Sequence, residues 1–320
     1  MSAIYGQDYP ADRIEIIVAD GMSSDQTRQI INRQSAGKNV RIIDNPGRIV
    51  PTGLNEALQI ARGQIIVRVD GHTLIAPDYI RQCVETLERT DADNVGGRMD
   101  AHGQGSFGEV VAVATSTPFG VGGARFHYSD REEWVDTVYM GAWRREVFEK
   151  IGLFDEELVR DQDDEFNYRL REHGGKILLN PKIKSVYTNR STPKALWKQY
   201  FQYGFWKVRV LQKHPRQMSL RQFVPPLFAV ALISSLLLAL FVKNGWIALL
   251  LVAGSYLLAN LTASLITALM RGWRHLALLP VTFAILHLSY GLGFLTGLIK
   301  FWNRWGDKTG KVPAWAPAHE

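Results

Sequence analysis

Cysteine is the scarcest residue of this 320-residue sequence, and acidic residues are scarce near its end. The single cysteine, Cys83, excludes an internal disulfide. After Tyr200 there are 12 Lys and Arg but only 2 Asp and Glu, a net charge of +10. The first 200 residues carry 25 Lys and Arg and 29 Asp and Glu, a net charge of −4. The basic excess at one end favours either nucleic acid or an anionic membrane as the partner.

Charged residues are also absent from three long apolar runs. "FVPPLFAVALISSLLLALFV" covers 223–242, and similar runs begin at Gly245 and at Leu276. Each is long enough to cross about 30 Å of hydrocarbon at ~1.5 Å per residue. Because three such runs in succession leave no polar face for water, they argue against a soluble all-helical domain and against nucleic acid. The sequence therefore predicts a protein anchored in the lipid bilayer.

The first two-thirds of the chain alternates short apolar runs with amphipathic stretches. The runs "IEIIVAD", "VRIID", "QIIVRVD" and "KILLNP" predict strands, and "DQTRQIINRQS", "TGLNEALQIARG" and "PDYIRQCVETLERT" predict helices. Strand, helix and strand in this order predict a parallel α/β sheet. Such sheets bind ligands at the carboxyl ends of their strands, where Asp20 and Asp70 lie.

Four motifs in one order carry a family resemblance over residues 4–215. "IEIIVADGMSSDQT" resembles a strand and turn of family 2 glycosyltransferases with the GT-A fold, and "VRVDGH" resembles their Asp-x-Asp metal motif, with His72 as its third member. "VYMGAWRREVFEKIGLFDEEL" resembles their acceptor-side segment, and "FDEELVRDQDDEFNYRLREHGGKI" the segment with the catalytic base of inverting members. Together with the trailing apolar runs, they most resemble bacterial exopolysaccharide glycosyltransferases of the succinoglycan type.

The resemblance implies a fold and several site residues. The expected fold class is α/β, a GT-A (Rossmann-like), mostly parallel sheet flanked by helices, followed by a C-terminal helical membrane region. Asp20 is expected to contact the nucleotide base, with a plain Asx turn as the alternative. The family's catalytic base falls on Asp163, and Asp164 is the second choice. Arg48 and Asn55 could reach the nucleotide, or they could be a solvated arginine and an asparagine near a helix start.

Asp70 and His72 have the chemistry of a metal site. A departing diphosphate needs a divalent cation to take up developing charge. A carboxylate oxygen with an imidazole nitrogen suits Mn²⁺ at least as well as Mg²⁺. Gly71, between them, lets the backbone approach the diphosphate. The alternative is an Asp-Gly turn followed by a surface histidine.

The acidic stretch "RDQDDEF" has two compatible interpretations. Carboxylates at a helix start interact with the positive end of the helix dipole, and Glu165 and Arg169 would pair at i,i+4. A crowded acidic cluster can also leave one carboxylate suited to accept a proton. The capping role therefore does not exclude catalysis by Asp163.

Four segments are expected along the chain. Residues 1–195 would form the catalytic domain, lacking the strand with an Asn-Glu turn that begins other family members, and 196–221 an amphipathic segment at the membrane interface. Residues 222–302 would form transmembrane helices, followed by a polar tail at 303–320.

The expected enzyme is a hexosyltransferase of the bacterial inner membrane, multi-pass, with a cytoplasmic catalytic domain. It would move a hexose from a nucleotide sugar, a UDP-hexose, to a polyprenyl-linked saccharide, alongside other polysaccharide-assembly proteins. One alternative is a processive polysaccharide synthase, although "QYGFW" at 202–206 matches the Gln-x-x-Arg-Trp signature only loosely. The other is an inactive membrane scaffold or sugar-nucleotide-binding subunit.

The charges around the apolar runs predict the topology. If all three runs crossed, the tail with Lys300, Arg304, Lys308 and Lys311 would lie opposite the catalytic domain, against the positive-inside rule. Pro280 and His287 make the third run the one that tolerates an interfacial path. We therefore expect two full crossings and a tail on the catalytic side. The alternative is a third full crossing, because the first helix usually dominates orientation and can overrule a later excess of charge.

Overall fold

In the computed structural model, residues 1–315 are described, and the end of the expected tail, 316–320, lies outside them. The chain divides into two compact units. Of the described residues, the first comprises Met1–Asp100, Ser129–Tyr187 and 307–315, and the second comprises Ala101–Tyr128 and Thr188–Gly306.

The described residues contain eight strands and twelve α-helices. The strands are β1 Ile16–Asp20, β2 Val40–Asp44, β3 Ile65–Val67, β4 Thr73–Ile75, β5 Asn94–His102, β6 Glu133–Trp134, β7 Tyr139–Arg144 and β8 Ile177–Thr188. The helices are α1 Ser2–Tyr5, α2 Thr27–Gln34, α3 Val50–Ile60, α4 Tyr79–Arg89, α5 Gly105–Thr115, α6 Pro118–Val121, α7 Glu146–Ile151, α8 Gln162–Glu172, α9 Pro193–Lys213, α10 Val224–Phe241, α11 Trp246–Arg271 and α12 Leu279–Lys300.

The strands form two sheets. β1 and β2 pair in parallel, with Ile16 opposite Val40 and Asp20 opposite Asp44. The other sheet has the order β3-β7-β5-β8-β4, and β6 pairs with β8. Its pairs β3–β7, β4–β8, β5–β7 and β6–β8 are antiparallel. The α/β class with a parallel unit is confirmed. The antiparallel pairs were not foreseen, because an apolar run predicts a strand and says nothing of its direction.

A core in the first unit lies between α4 and the larger sheet. The apolar face of α4 supplies Tyr79, Ile80, Cys83, Val84 and Leu87, which recur at helical spacing and are buried. They pack with the strand residues Ile75, Val95, Met140, Ala142, Leu178 and Ile183. This packing fixes the ends of β3 and β7, from which site residues project.

The predicted elements exist, with shifted boundaries. β1, β2, α2 and α4 fall within the predicted segments. β3 ends at Val67, so the residues from Arg68 to Asp70 lie beyond the strand. α3 begins at Val50, so Asn55 lies in its middle and not near its start. β8 continues well past "KILLNP" to Thr188.

The second unit holds three helices long and apolar enough to cross a membrane, Leu220–Phe241, Trp246–Arg271 and Leu279–Lys300. The expected candidate transmembrane helices are therefore confirmed. They differ in burial: 17% and 11% of the apolar windows of the first two is buried within the protein, but 44% of the third. α9, which precedes them, contains most of the expected interface segment.

Candidate functional site

Asp20 ends β1 and holds the turn that follows. Its side chain is buried, and one oxygen accepts hydrogen bonds from the Ser23 amide at 3.0 Å and from Arg28 Nε at 2.6 Å. The Ser23 hydroxyl donates to the other oxygen. Hydrogen bonds from Ser23 and then Arg28 hold the pKa of Asp20 below its ordinary value. These contacts form the Asx-type turn of the alternative interpretation, and contact with a nucleotide base stays a prediction.

Arg48 and Asn55 have different surroundings. Arg48 is exposed and has a left-handed backbone, with φ of 56°. Asn55 is buried, and its amide both donates to the Phe154 carbonyl and accepts from the Phe154 amide, each at 2.9 Å. Its Nδ2 also lies 3.0 Å from a Glu156 carboxylate oxygen. Because Asn55 joins α3 to the loop before α8, we leave it out of the proposed nucleotide site.

Asp70 is fixed by a buried arginine two residues before it. Arg68 Nε and Nη2 donate to the two carboxylate oxygens of Asp70 at 2.7 and 3.2 Å. The Arg68 amide donates to the Gly141 carbonyl at 3.1 Å, which ties this segment to β7. Arg68 is only 8% exposed. The carboxylate is therefore held in one orientation before any ligand arrives.

Arg68 is also influenced by the charge of Asp163. Burial by itself would lower the pKa of the Arg68 guanidinium, but the negative charges of Asp70 and Asp163 outweigh this effect and raise it. The Arg68 Nη1 atom is buried and has no hydrogen-bond partner within residues 1–315. The candidate metal ligand and the candidate base thus act on one buried cation. Sequence analysis missed Arg68, whose signal was a charged residue inside an otherwise apolar strand pattern.

The acidic stretch lies at the start of α8, as expected, but the N-cap residue, Asp161, makes no side-chain capping hydrogen bond. Asp161 precedes the helix with a left-handed backbone, φ 60° and ψ 20°. Glu165 and Arg169 form the expected pair, buried, at 2.9 Å. Asp164 accepts a hydrogen bond from the Thr137 hydroxyl at 3.0 Å. Asp163 is half-buried, and one of its oxygens accepts from the Asp164 amide at 3.0 Å.

An aromatic group adjoins Asp70 and His72. His72 is exposed, and its ring meets the edge of Tyr187 with centroids 5.2 Å apart. Tyr187 also packs edge-on against Tyr139, at 5.9 Å, and the Tyr139 hydroxyl hydrogen-bonds Thr73 at 2.6 Å. Burial, and then the charge of Asp70, raise the pKa of Tyr139. The Tyr139 hydroxyl therefore stays protonated near neutral pH.

Two residues of β7 have unusual backbone angles beside Asp70. Met140 has φ of 61° and Gly141 has φ of 97°. A positive φ costs a non-glycine residue free energy and is retained where the surrounding structure imposes it. Met140 is 1% exposed, and its sulfur lies 3.5 Å from the Asp70 amide nitrogen. Met140, which belongs to the acceptor-side motif, thus contacts the candidate metal residue Asp70.

The donor set fits a divalent cation shared with a ligand. Within residues 1–315, no group of three or more His, Cys, Asp or Glu could hold a metal ion. Mg²⁺ is usually bound by one or two carboxylates plus substrate phosphates and waters. Asp70 and His72 supply enough protein ligands for an ion whose other ligands are phosphates and waters. The space around Gly71 is open, because an added Cβ there would meet nothing within 4 Å. The residues thus fit a metal that binds together with a diphosphate.

Comparison with solved structures assigns the fold. The chain superimposes on a mannosyltransferase, PcManGT from Pyrobaculum calidifontis, solved with GDP-Man and Mn²⁺, with a TM-score of 0.58 and 20% identity. The match covers 93% of this chain and 82% of that one. This likeness shows the fold, a mixed α/β domain of the GT-A type followed by apolar helices, as expected.

Sequence comparison assigns the family. Residues 2–152 match the family described as Glycosyl transferase family 2. The chain is 30% identical over 292 residues to the Succinoglycan biosynthesis protein ExoA of Rhizobium meliloti (strain 1021), covering 90% of this chain and 87% of that protein. It therefore belongs to glycosyltransferase family 2, and the expected enzyme class, a hexosyltransferase, is confirmed.

A second relative has a more explicit name. It is the Dolichyl N-acetyl-alpha-D-glucosaminyl phosphate 3-beta-D-2,3-diacetamido-2,3-dideoxy-beta-D-glucuronosyltransferase of Methanococcus voltae. Identity is 28% over 305 residues, which cover 92% of this chain and 91% of that protein. The relatives thus include one protein of exopolysaccharide synthesis and one lipid-linked sugar transferase.

Proposed function

We propose that this protein is a membrane-anchored inverting glycosyltransferase that moves one hexose from a UDP-sugar to a polyprenyl-linked saccharide. The named activities of the two relatives support an exopolysaccharide or lipid-linked product. The cytoplasmic face of a bacterial inner membrane is the proposed location. There the spans would keep the enzyme beside an acceptor that cannot leave the bilayer.

One observation carries the proposal: Asp70 and Asp163 both act on the buried guanidinium of Arg68. An inverting displacement needs a group that binds the departing diphosphate and a base on the attacking side of the sugar. Asp70, hydrogen-bonded to Arg68, and Asp163, whose charge also acts on Arg68, would supply a carboxylate for each task. The Nη1 atom of Arg68 offers a further donor for a diphosphate oxygen.

Asp70 and His72 would hold a Mn²⁺ or Mg²⁺ ion together with the diphosphate. When bound, that ion neutralises charge that develops on the leaving group. Arg68 keeps the Asp70 carboxylate oriented, and Gly71 leaves space at the turn. Asp20, which pairs with Arg28 at 2.6 Å, would contact the nucleotide base.

Asp163 would accept the proton of the acceptor hydroxyl. As the proton leaves, the acceptor oxygen forms a bond to the anomeric carbon of the hexose, and the bond from that carbon to the diphosphate oxygen breaks. The nucleoside diphosphate departs with the electron pair, and the anomeric configuration inverts. Asp164 is the weaker candidate, because the Thr137 hydroxyl already donates to it at 3.0 Å.

A processive synthase has less support. The "QYGFW" sequence lies inside α9, where an added Cβ at Gly204 would come within 2.0 Å of the Tyr290 carbonyl oxygen of α12. This close approach gives the segment a packing role of its own. We therefore keep single-sugar transfer as the proposal.

The proposal is tested with the full chain in lipid nanodiscs, a set of UDP-hexoses and polyprenyl-diphosphate saccharides as acceptors. We expect release of the nucleoside diphosphate and a product longer by one hexose, with the anomeric configuration inverted by NMR. A long polymer would instead support the processive synthase. Nucleotide binding without transfer would support the inactive subunit.

Arg68→Lys should weaken metal-dependent donor binding. Lysine keeps the positive charge but loses the two parallel hydrogen bonds to Asp70, so the carboxylate is no longer held in one orientation. Residues that orient metal ligands typically contribute about 10-fold to 100-fold in metal affinity. Titrating Mn²⁺ into protein with UDP, by calorimetry, should show a loss of about 10-fold.

The matched control is Arg62→Lys, because Arg62 has a side chain that is 77% exposed and pairs with Glu15 in the same unit. It should leave the Mn²⁺ titration unchanged. An Arg68→Lys protein with the metal affinity of the parent would remove Arg68 from the site.

A further inference from the structure

We infer that α12 does not cross the membrane and instead lies in the surface of one leaflet, side by side with α9. The face of α12 that no other part of the protein covers would contact the boundary between the lipid headgroups and the acyl chains. α10 and α11 then form the full crossings. This inference concerns the helices of the second unit and does not depend on the proposed reaction.

α10 and α11 form an antiparallel hairpin, and positions along this hairpin serve as the reference for depth in the bilayer. The tight turn at 242–245 joins them, so the start of α10 and the end of α11 lie at one end of the hairpin. The ring of Phe228 stacks on that of Tyr256, with centroids 4.2 Å apart. These two residues therefore mark one level, and positions before Phe228 in α10 match positions after Tyr256 in α11.

The beginning of α12 lies near the start of α10. Asn260 Nδ2 of α11 donates to the Pro280 carbonyl at 3.0 Å. Asn260 follows Tyr256 by one helical turn, so it is level with a position about one turn before Phe228. Pro280 is therefore close to the level at which α10 begins.

The later part of α12 lies at the same level. An added Cβ at Gly291 would come within 2.5 Å of the Pro225 carbonyl oxygen, and the ring of Phe294 lies 6.0 Å from that of Phe223. Phe223 and Pro225 are at the start of α10. From Pro280 to Phe294 the helix extends about 21 Å at ~1.5 Å per residue. Over that length, α12 contacts the same end of the α10–α11 hairpin and does not advance along the hairpin axis. α12 therefore runs across the hairpin and not along it.

α9 follows α12 in the same direction. An added Cβ at Gly293 would come within 2.0 Å of the Phe201 carbonyl oxygen, and one at Gly297 within 2.6 Å of the Phe205 carbonyl oxygen. Further on, Gln212 Nε2 donates to the Phe301 carbonyl at 2.8 Å. The backbones touch where small residues allow it, as in membrane helix pairs. α12 therefore has nearly the same tilt as α9.

α9 cannot cross a bilayer. It carries five cations along its length, and its longest uncharged stretch, 199–206, is far shorter than the ~20 residues that a crossing needs. A helix with aromatic residues among lysines is typical of the membrane interface. Because α12 shares this tilt, α12 lies in the interface as well.

The face of α12 left uncovered suits a lipid surface. Val281 and Ile299 are 51% and 76% exposed, and their spacing of five helical turns puts them on the same side of α12. Trp302, 73% exposed, and Lys300 follow at its end, as is common for residues at a membrane interface. This placement also puts the cations after α12 on the catalytic side, in agreement with the positive-inside rule.

Labelling of single cysteines tests the number of crossings. In a Cys83→Ser background, Ala36→Cys reports the catalytic unit, Lys243→Cys the hairpin turn, and Thr309→Cys the segment after α12; all three positions are exposed. A membrane-impermeant maleimide is applied to right-side-out and inverted vesicles. We expect Ala36→Cys and Thr309→Cys to react from one face and Lys243→Cys from the other. Reaction of Thr309→Cys from the same face as Lys243→Cys would overturn the inference.

Depth measurement tests the orientation of α12 directly. Spin labels at Val281, Leu288 and Ile299 should show similar, shallow depths by oxygen accessibility in nanodiscs. A label at Leu258, in the middle of α11 and 69% exposed, gives the reference for the bilayer centre. If Leu288 were as deep as Leu258, α12 would be a crossing helix and the inference would be wrong. Neither measurement uses activity, so failure here leaves the proposed transfer untouched.

Discussion

Replacing Asp163 by asparagine should lower turnover by about 10²-fold or more, while UDP-sugar binding survives. Asparagine has the shape of aspartate but cannot take the proton of the acceptor hydroxyl. Its Oδ1 atom can still accept the hydrogen bond that the Asp164 amide donates to Asp163 at 3.0 Å. The helix start should therefore persist, and the loss should lie in kcat. Steady-state rates with a saturating acceptor, together with calorimetric titration of the donor, separate the two effects.

Two variants in the same helix give this experiment its controls. Asp164→Asn keeps an acceptor for the Thr137 hydroxyl and should reduce turnover far less. Glu172→Gln, exposed at the end of α8, should behave as the parent protein. If Asp163→Asn turned over normally while Asp164→Asn did not, the base would be Asp164.

Asp70→Asn should remove metal-dependent donor binding and, with it, nearly all transfer. An amide is a poor ligand for Mn²⁺ or Mg²⁺ compared with a carboxylate, so the diphosphate loses the ion that holds it. Asparagine is a better test than alanine, because Arg68 is buried. Removal of one partner of a buried ion pair costs about 3–5 kcal/mol and could unfold the protein. The side-chain carbonyl of the introduced asparagine can still accept one hydrogen bond from Arg68.

The measurement is UDP binding by calorimetry with MnCl₂ and with a chelator. The parent should lose affinity when the chelator is added, and Asp70→Asn should bind weakly under both conditions. His72→Ala should need more metal but retain activity, because His72 is exposed and leaves the Arg68–Asp70 pair intact. A thermal melt confirms that each variant is folded. Metal-dependent binding in Asp70→Asn equal to that of the parent would disprove the metal assignment.

The order of motifs predicted the family and the fold class well. The carboxylates Asp20 and Asp70 could be found from apolar runs that stop at them, because in an alternating α/β chain the carboxyl ends of the strands face the ligand. β1 does end at Asp20, whereas β3 ends at Val67, before Asp70. The pairing of Glu165 with Arg169 followed from helix geometry alone. Such features depend on residues near one another in sequence, so the sequence is enough to predict them.

Sequence patterns were enough to predict the GT-A class, the family, the three long apolar helices and the candidate carboxylates, because each depends on a local pattern of polarity or on a short motif. The folded structure was needed to find that Arg68 binds Asp70 and is influenced by the charge of Asp163, that Asn55 is committed to the Phe154 backbone, and that α12 packs along α9. Apart from the Arg68–Asp70 pair, these features involve residues about ninety or more positions apart in the sequence. A pattern of apolar residues specifies that a face is buried, but not which distant segment covers it. That choice depends on packing, which is decided when the whole chain is folded.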